Sequence, residues 1–172
     1  MKKIIASALL ILFSFTIFGI YASKKITLKQ NVTGHLKRAA DASTIHLAKQ
    51  ELLSAVDYLE ENNLTQGYTS VLWKTPDEDI TFWFQNLKAS LYELEHLKSE
   101  SALERTNVLI KLRETLVDQG ESTRVTVPKG LHVFPNNKRW TILMSLAILS
   151  FLVGFVLIPS QIIDSIIKKN KA

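Results

Sequence analysis

The residues in this chain equipped for chemistry are four histidines, His35, His46, His96 and His132, and a scatter of carboxylates; there is no cysteine. The missing thiol removes disulfides, thiolate nucleophiles, thiolate zinc sites and Cys-held iron–sulfur clusters. His35 and His46 stand eleven residues apart, about three turns along one helical face, and at about 16 Å they cannot share a metal ion. Glu93-Leu94-Glu95-His96 has the Glu-x-x-His spacing of di-metal helical bundles, which need two such motifs and further glutamates, and it occurs here once. Glycine-rich phosphate loops, a Gly-x-Ser-x-Gly elbow and a His-Glu-x-x-His pair are absent from the sequence. Glu60, Glu61, Asp77, Glu78 and Asp79 gather around one loop. Paired carboxylates can do acid and base work, but helix ends attract acids through capping and the dipole alone. The sequence therefore assigns no catalytic residue, no metal ligand and no cofactor, and the chain is read as a non-enzyme.

Aromatic residues carry more information. Tyr58, Tyr68, Trp73, Phe82, Trp83 and Phe84 fall near the end of one expected helix, the following loop and the start of the next. Phe82, Trp83 and Phe84 are consecutive, so at about 100° per residue they sweep about 200° of helix surface, more than one core-facing stripe needs. At least one ring must meet the loop, a partner or solvent. Either Tyr68 and Trp73 fold over these rings and close that end, or Tyr68, Trp73, Phe82, Trp83 and Phe84 beside Asp77 form an exposed patch. Such a patch suits a protein partner or a cationic ligand.

Two apolar runs set the frame for these residues. Ile4 to Tyr21 is interrupted only by Ser7, Ser14 and Thr16 and follows Met-Lys-Lys; it reads as an uncleaved signal anchor over residues 1–23. Trp140 to Ile158 contains only Thr141, Ser145 and Ser150 as polar members and reads as a second transmembrane helix over 140–158. Trp140, Lys138 and Arg139 are its expected interface anchors on one side, with Lys168 and Lys169 on the other. Pro159 is expected to end or kink the helix, and Ala147, Ser150 and Gly154 make a small-residue face open to close helix approach. Residues 159–172 form a short basic amphipathic tail, lying on the leaflet or continuing the helix.

The charge fits this frame. The chain carries 21 Lys+Arg against 16 Asp+Glu, a net +5, yet residues 4 to 139 hold 16 basic and 15 acidic residues. The excess sits at the chain ends, so a folded basic face for nucleic acid is not expected. The membrane-proximal positive charges balance six against six, and the basic stub before an apolar run decides the orientation. Both termini are placed in the cytoplasm of a bacterial cell and residues 24–139 in the periplasm.

Within 24–119 the period is helical. Leu28, Val32, Leu36, Ala48, Leu52, Val56 and Leu59 recur at helical spacing, and one helix is expected from Ile26 to Glu61, about 54 Å long with Gly34 its weak point. That length would carry the aromatic end well clear of lipid. Thr75-Pro76-Asp77-Glu78 reads as a capping box that opens a second helix, with Ile80, Trp83 or Phe84, Leu87, Leu91, Leu94 and Leu97 on its face. A turn near Lys98 to Ser101 and a second box at Ser101-Ala102-Leu103-Glu104 open a third, with Ala102, Thr106, Leu109, Leu112 and Leu116 facing inward and an end at Gln119-Gly120. Residues 120–139 form an extended return, with Val125-Thr126-Val127 and Leu131 to Phe134 pairing as a hairpin about Pro128-Lys129-Gly130. The fold class is all-α: an antiparallel bundle of about three long helices, anchored between two transmembrane helices, with an extended or β-hairpin return.

The order of membrane helix, helical bundle and membrane helix resembles the ligand-sensing ectodomains of bacterial chemoreceptors and sensor kinases. The likeness is one of layout and rests on no motif. It implies a sensor-like accessory subunit that binds a small ligand and, with 14 residues from Pro159 onward, signals through a partner chain. The principal expectation is a non-enzymatic membrane protein whose ectodomain serves interaction or scaffolding, its partners the lipid bilayer and another envelope protein or a second copy of itself.

Overall fold

The computed structural model describes residues 2–97, 101–118 and 124–169. It is mostly helical with one two-stranded antiparallel sheet, and it divides into two compact units: Met1–Lys24 with Lys138–Ala172, and Lys25–Asn137.

The first unit is built on α1 (Lys2–Leu28) and α6 (Asn137–Lys169). Both are long and apolar enough to cross a membrane. They run antiparallel in a seven-residue register: Ser7 Oγ donates to Gly154 O at 2.7 Å, and Ser14 Oγ lies 2.8 Å from Ala147 O. A step of seven keeps the same two faces in contact along a helix pair. The small-residue face expected on α6 is thus the seam of this pair. A methyl on Gly154 would stand 2.9 Å from Ile11 Cγ1 and 3.2 Å from Ser7 O, so the close approach requires glycine there. Pro159 does not end α6, whose backbone continues to Lys169. A proline costs one backbone bond and strains one turn, and long apolar helices tolerate that. The tail up to Lys169, expected to begin at the proline, is continuous with the helix; Lys171 lies outside the described residues.

The second unit corrects the expected first helix. Past Leu28 the backbone makes one π turn, Lys29–Thr33, before α2 (Gly34–Ala40). Gly34 donates its N–H to Lys29 O, five residues back, and a Cβ at Gly34 would come within 3.0 Å of that oxygen. The weak point read from the sequence is the place where the helix widens. The helix then ends, and the chain reverses between Asp41 and Thr44 into α3 (Ile45–Glu61). Thr44 is extended and accepts from Leu47 N at 3.3 Å, a side-chain cap at the start of α3. Glu51 then reaches back to His35 Nδ1 at 2.7 Å and Arg38 Nη2 at 2.7 Å. His35 and His46 accordingly lie on two helices rather than one face. The physical reason is burial. Folding back encloses Val32, Leu36 and Ala39 against Ala48, Leu52 and Val56, each large aliphatic side chain contributing about 1.5–3 kcal/mol. A single extended helix would leave that stripe uncovered.

After a loop, α4 (Ile80–His96) packs antiparallel to α3, with Lys88 to Glu60 at 2.9 Å and Lys49 to Glu95 at 3.3 Å marking the register. These pairs are exposed and add little stability. Ile80, Trp83, Leu87, Leu91 and Leu94 form the buried stripe of α4, as the spacing predicts, whereas Leu97, expected to continue it, is the extended residue after the helix and only half-buried. The predicted cap is displaced. Pro76–Glu78 is a single 3₁₀ turn, and the N-cap of α4 is Asp79, which accepts from Thr81 N at 2.9 Å and Phe82 N at 3.2 Å. Thr75 instead donates its hydroxyl to Glu78 Oε2 at 2.8 Å.

The turn expected at Lys98 to Ser101 falls largely on residues 98–100, outside the described residues, and so does the expected end at Gln119-Gly120. α5 (Ala102–Leu116) returns along α4, with Lys111 to Glu93 at 2.8 Å. Ser101 takes the N-cap position without a side-chain cap bond, and only Leu112 and Leu116 of the predicted face are fully enclosed; Ala102 and Thr106 are exposed. The helix stops at Leu116 because Val117–Asp118 becomes β1, paired antiparallel with β2 (Arg124–Val125). The small hairpin therefore lies upstream of the one expected: Leu131–Val133 is a 3₁₀ turn, not a strand.

Candidate functional site

The reversal at Asp41 to Thr44 relocates the aromatic residues. Because α3 runs back alongside α2 and the π turn, Glu61 and the loop after it lie at the end of this unit where the chain enters at Lys25. The same end is where the chain leaves. Gly67 abuts the Phe134 ring, its missing Cβ site 3.1 Å from Phe134 Cζ, and Phe134 stands three residues before α6. The aromatic loop, expected at the far end, is at the end shared by both chain exits.

Three layers build the site. The base is a short ladder: Ile80 N donates to Gly67 O at 2.9 Å, Gly67 N to Thr81 Oγ1 at 3.0 Å, Tyr68 bridges to Asp79, and Thr69 N donates to Glu78 O at 3.0 Å. Residues 70–77 form an excursion from that ladder. Partial burial works against ionisation of Asp79, but the Phe82 N–H, the Tyr68 hydroxyl and Thr81 outweigh it and hold the carboxyl below the ordinary aspartate range. Reciprocally, the Asp79 charge and its hydrogen bond push the Tyr68 phenol up. Lys74 Nζ lies 5.0 Å from the Tyr68 ring centre, a cation–π contact. Tyr68 and Asp79 are thereby committed to closing the loop.

Above the ladder is the first turn of α4, which separates three adjacent rings. Trp83 is buried and donates Nε1–H to Thr126 O at 2.8 Å, while Thr126 N donates to Leu116 O at 2.9 Å. The indole thus ties α4 to the chain that follows β2. Phe84 is half-buried against the core, and Phe82 is 63% exposed.

The third layer is a groove of about 570 Å³ between this face of α4 and residues 124–129, lined by Phe82, Trp83, Asn86, Arg124, Val127 and Lys129 among others, with Asp77, Asp79 and Asp118 also in its wall. The Thr75 hydroxyl, the backbone at Asp77 and the Lys129 charge hold the Asp77 carboxyl below the usual range. Apolar rings and both signs of charge within one open groove suit a peptide segment better than a small apolar ligand.

Of the predicted patch, Asp77, Phe82 and Trp83 share the groove. Tyr68, Phe84 and Trp73 do not line it, and Trp73 is 76% exposed rather than folded over the other rings. The sequence reading missed Arg124, Lys129 and Leu72. The strand-like run Val125-Thr126-Val127 was legible, but nothing local ties it to a helix more than 40 positions earlier. Elsewhere, His96 stacks on Tyr92 with ring centres 3.9 Å apart, and its partner in the Glu-x-x-His spacing, Glu93, holds Lys111. Among the predicted interface anchors, Trp140 lies 6.1 Å from the Tyr21 ring and 5.9 Å from Lys24 Nζ. Lys138 and Arg139 are exposed in the first turn of α6, and Lys168 and Lys169 lie in its last turn. No protein-family model, curated protein or solved structure matches this chain.

Proposed function

We propose that the chain is a membrane-anchored interaction protein: α1 and α6 cross a bacterial inner membrane with both termini in the cytoplasm, and residues 25–137 form a periplasmic helical bundle that holds a segment of another envelope protein. Membrane anchoring is supported by the outward faces of the helix pair. Leu9, Leu12, Phe15, Leu152, Phe155 and Val156 are each more than half exposed, a contiguous apolar surface that lipid covers and water does not tolerate. The basic stub before Ile4 supports the orientation.

The observation that carries the interaction reading is Phe82. A ring 63% exposed on the lip of a groove that also offers Asp77, Arg124 and Lys129 is the composition of a protein-recognition centre with a polar rim. The groove sets charges of both signs around apolar rings, a composition that supports a binding role. A photo-crosslinking residue at Phe82, with one at Tyr92 for comparison, tests the reading in cells. A discrete adduct of constant mass is expected from position 82 and not from 92. Equal labelling at both positions, or a thermal shift of the chain by a small solute that Phe82→Ala abolishes, would replace interaction with the sensor-like reading.

A further inference from the structure

The excursion from the Tyr68–Asp79 ladder ends in Leu72-Trp73-Lys74. Leu72 is 78% exposed and Trp73 76% exposed, the two most exposed large apolar side chains among the described residues. The groove does not use them. Lys74 is exposed beside them, its ammonium held toward Tyr68. Leucine, tryptophan and lysine together at a loop tip are the composition of a membrane-interface anchor. The indole and aliphatic chain enter the headgroup boundary, and the ammonium stays with water and anionic phosphates.

Position supports this assignment independently of composition. The excursion springs from the end of its unit that holds Glu61, Gly67 and Ile80, which is also the end where the chain enters at Lys25 and leaves at Asn137. From Lys25 and Asn137 the chain continues directly into the two apolar helices, and within their own unit Trp140 stands beside Tyr21 and Lys24, the residue types of an interface anchor. From the ladder, a strand of four or five residues reaches about 13–16 Å, the scale of the headgroup region. Lysines near the exits add attraction for an anionic leaflet.

We infer that Leu72 and Trp73 insert into the outer headgroup region of the same bilayer that α1 and α6 cross, giving residues 25–137 a third attachment. The inference rests on the proposed crossing. Its occupant is lipid, because two adjacent apolar side chains at a chain-exit end meet a bilayer without any further partner.

The chain has no cysteine, so a single introduced cysteine takes a spin label uniquely. Leu72→Cys, Trp73→Cys, Tyr92→Cys and Leu149→Cys are made singly in the full chain and reconstituted in phosphatidylcholine–phosphatidylglycerol vesicles. Collision with oxygen, which concentrates in lipid, is compared with collision with a water-soluble nickel chelate. Labels at 72 and 73 should show a several-fold loss of nickel collisions relative to 92, with oxygen collisions between those at 92 and 149. Labels at 72 and 73 that match 92, while 149 reports lipid, overturn the anchor and leave the crossing intact. A label at 149 that meets the chelate freely overturns the crossing and the anchor together. Immobile labels at 72 and 73 shielded from both reagents overturn the lipid assignment in favour of a protein contact.

Discussion

In the helix pair the enclosed groups are small: Ser7, Ser14 and Ala147 are at most 2% exposed, while leucines and phenylalanines face outward. In residues 25–137 the enclosed side chains are Leu36, Leu52, Leu59, Ile80 and Leu87, and the charges face outward. One chain thus packs by two opposite rules. Where water is the solvent, removing apolar area from it drives packing, and the largest aliphatic groups go inside. Under the proposed crossing, lipid is the solvent of the helix pair, and leucine gains nothing by hiding. Close backbone approach and hydrogen bonds then decide, and small residues go inside.

The contrast breaks most visibly at large side chains. Trp83→Ala should destabilise residues 25–137 by about 3–5 kcal/mol, since it opens a cavity and strands Thr126 O. Leu12→Ala, at an outward position of α1, should change the stability of the helix pair by no more than about 0.5 kcal/mol. Denaturant titration of the full chain in micelles, followed by near-ultraviolet circular dichroism, measures the first. A pulsed dipolar distance between labels on α1 and α6 measures the second. Similar losses at both sites would remove the contrast.

Next in size is the inverse experiment, adding volume to the seam. Gly154→Leu should cost the pair about 1–3 kcal/mol through overpacking against Ile11 and the Ser7 carbonyl, and the same dipolar distance should lengthen and broaden. Smaller still is Ser7→Ala, at about 0.6 kcal/mol, because a serine hydroxyl in a separated helix bonds its own i−4 carbonyl. Ser14 already has that alternative, with Leu10 O at 2.9 Å, so Ser14→Ala should cost no more than Ser7→Ala.

The smallest effect is confined to residues 25–137. Partial burial opposes ionisation of Glu51, but the hydrogen bonds from His35 and Arg38, and their charges, hold its carboxyl below the ordinary glutamate value. A lowered folded value means that the stabilisation is complete above the unfolded value of about 4.3 and is lost as pH falls through the folded one. The denaturation midpoint of the wild type should therefore drop more steeply below about pH 4 than that of Glu51→Gln. Parallel acid limbs would show that the His35–Arg38–Glu51 cluster marks register without contributing stability.

The legible parts of the fold share one property: they are local. The two apolar runs, the stripe of α4 from Ile80 to Leu94 and the small face of Ala147, Ser150 and Gly154 can each be read within a few turns of chain. The reversal at Asp41 to Thr44 was missed because Leu28 to Leu59 keeps a helical period across it, with no proline or glycine at the break. Thr44, a side-chain cap with its partner Leu47, was the one local signal there. The site suffered accordingly. Phe82 and Trp83 were picked out, but which ring faces inward was decided by Thr126, more than 40 residues later in the chain.

Sequence alone determined which segments are helical, which are apolar enough to cross a bilayer and where the charge excess lies, because each depends on neighbours in the chain. Tertiary structure decided direction. Whether α3 continues α2 or folds back on it depends on the aliphatic surface enclosed between them, a quantity that exists only once the two helices meet. That single reversal moved the aromatic loop from the far end of the unit to the end where the chain enters and leaves.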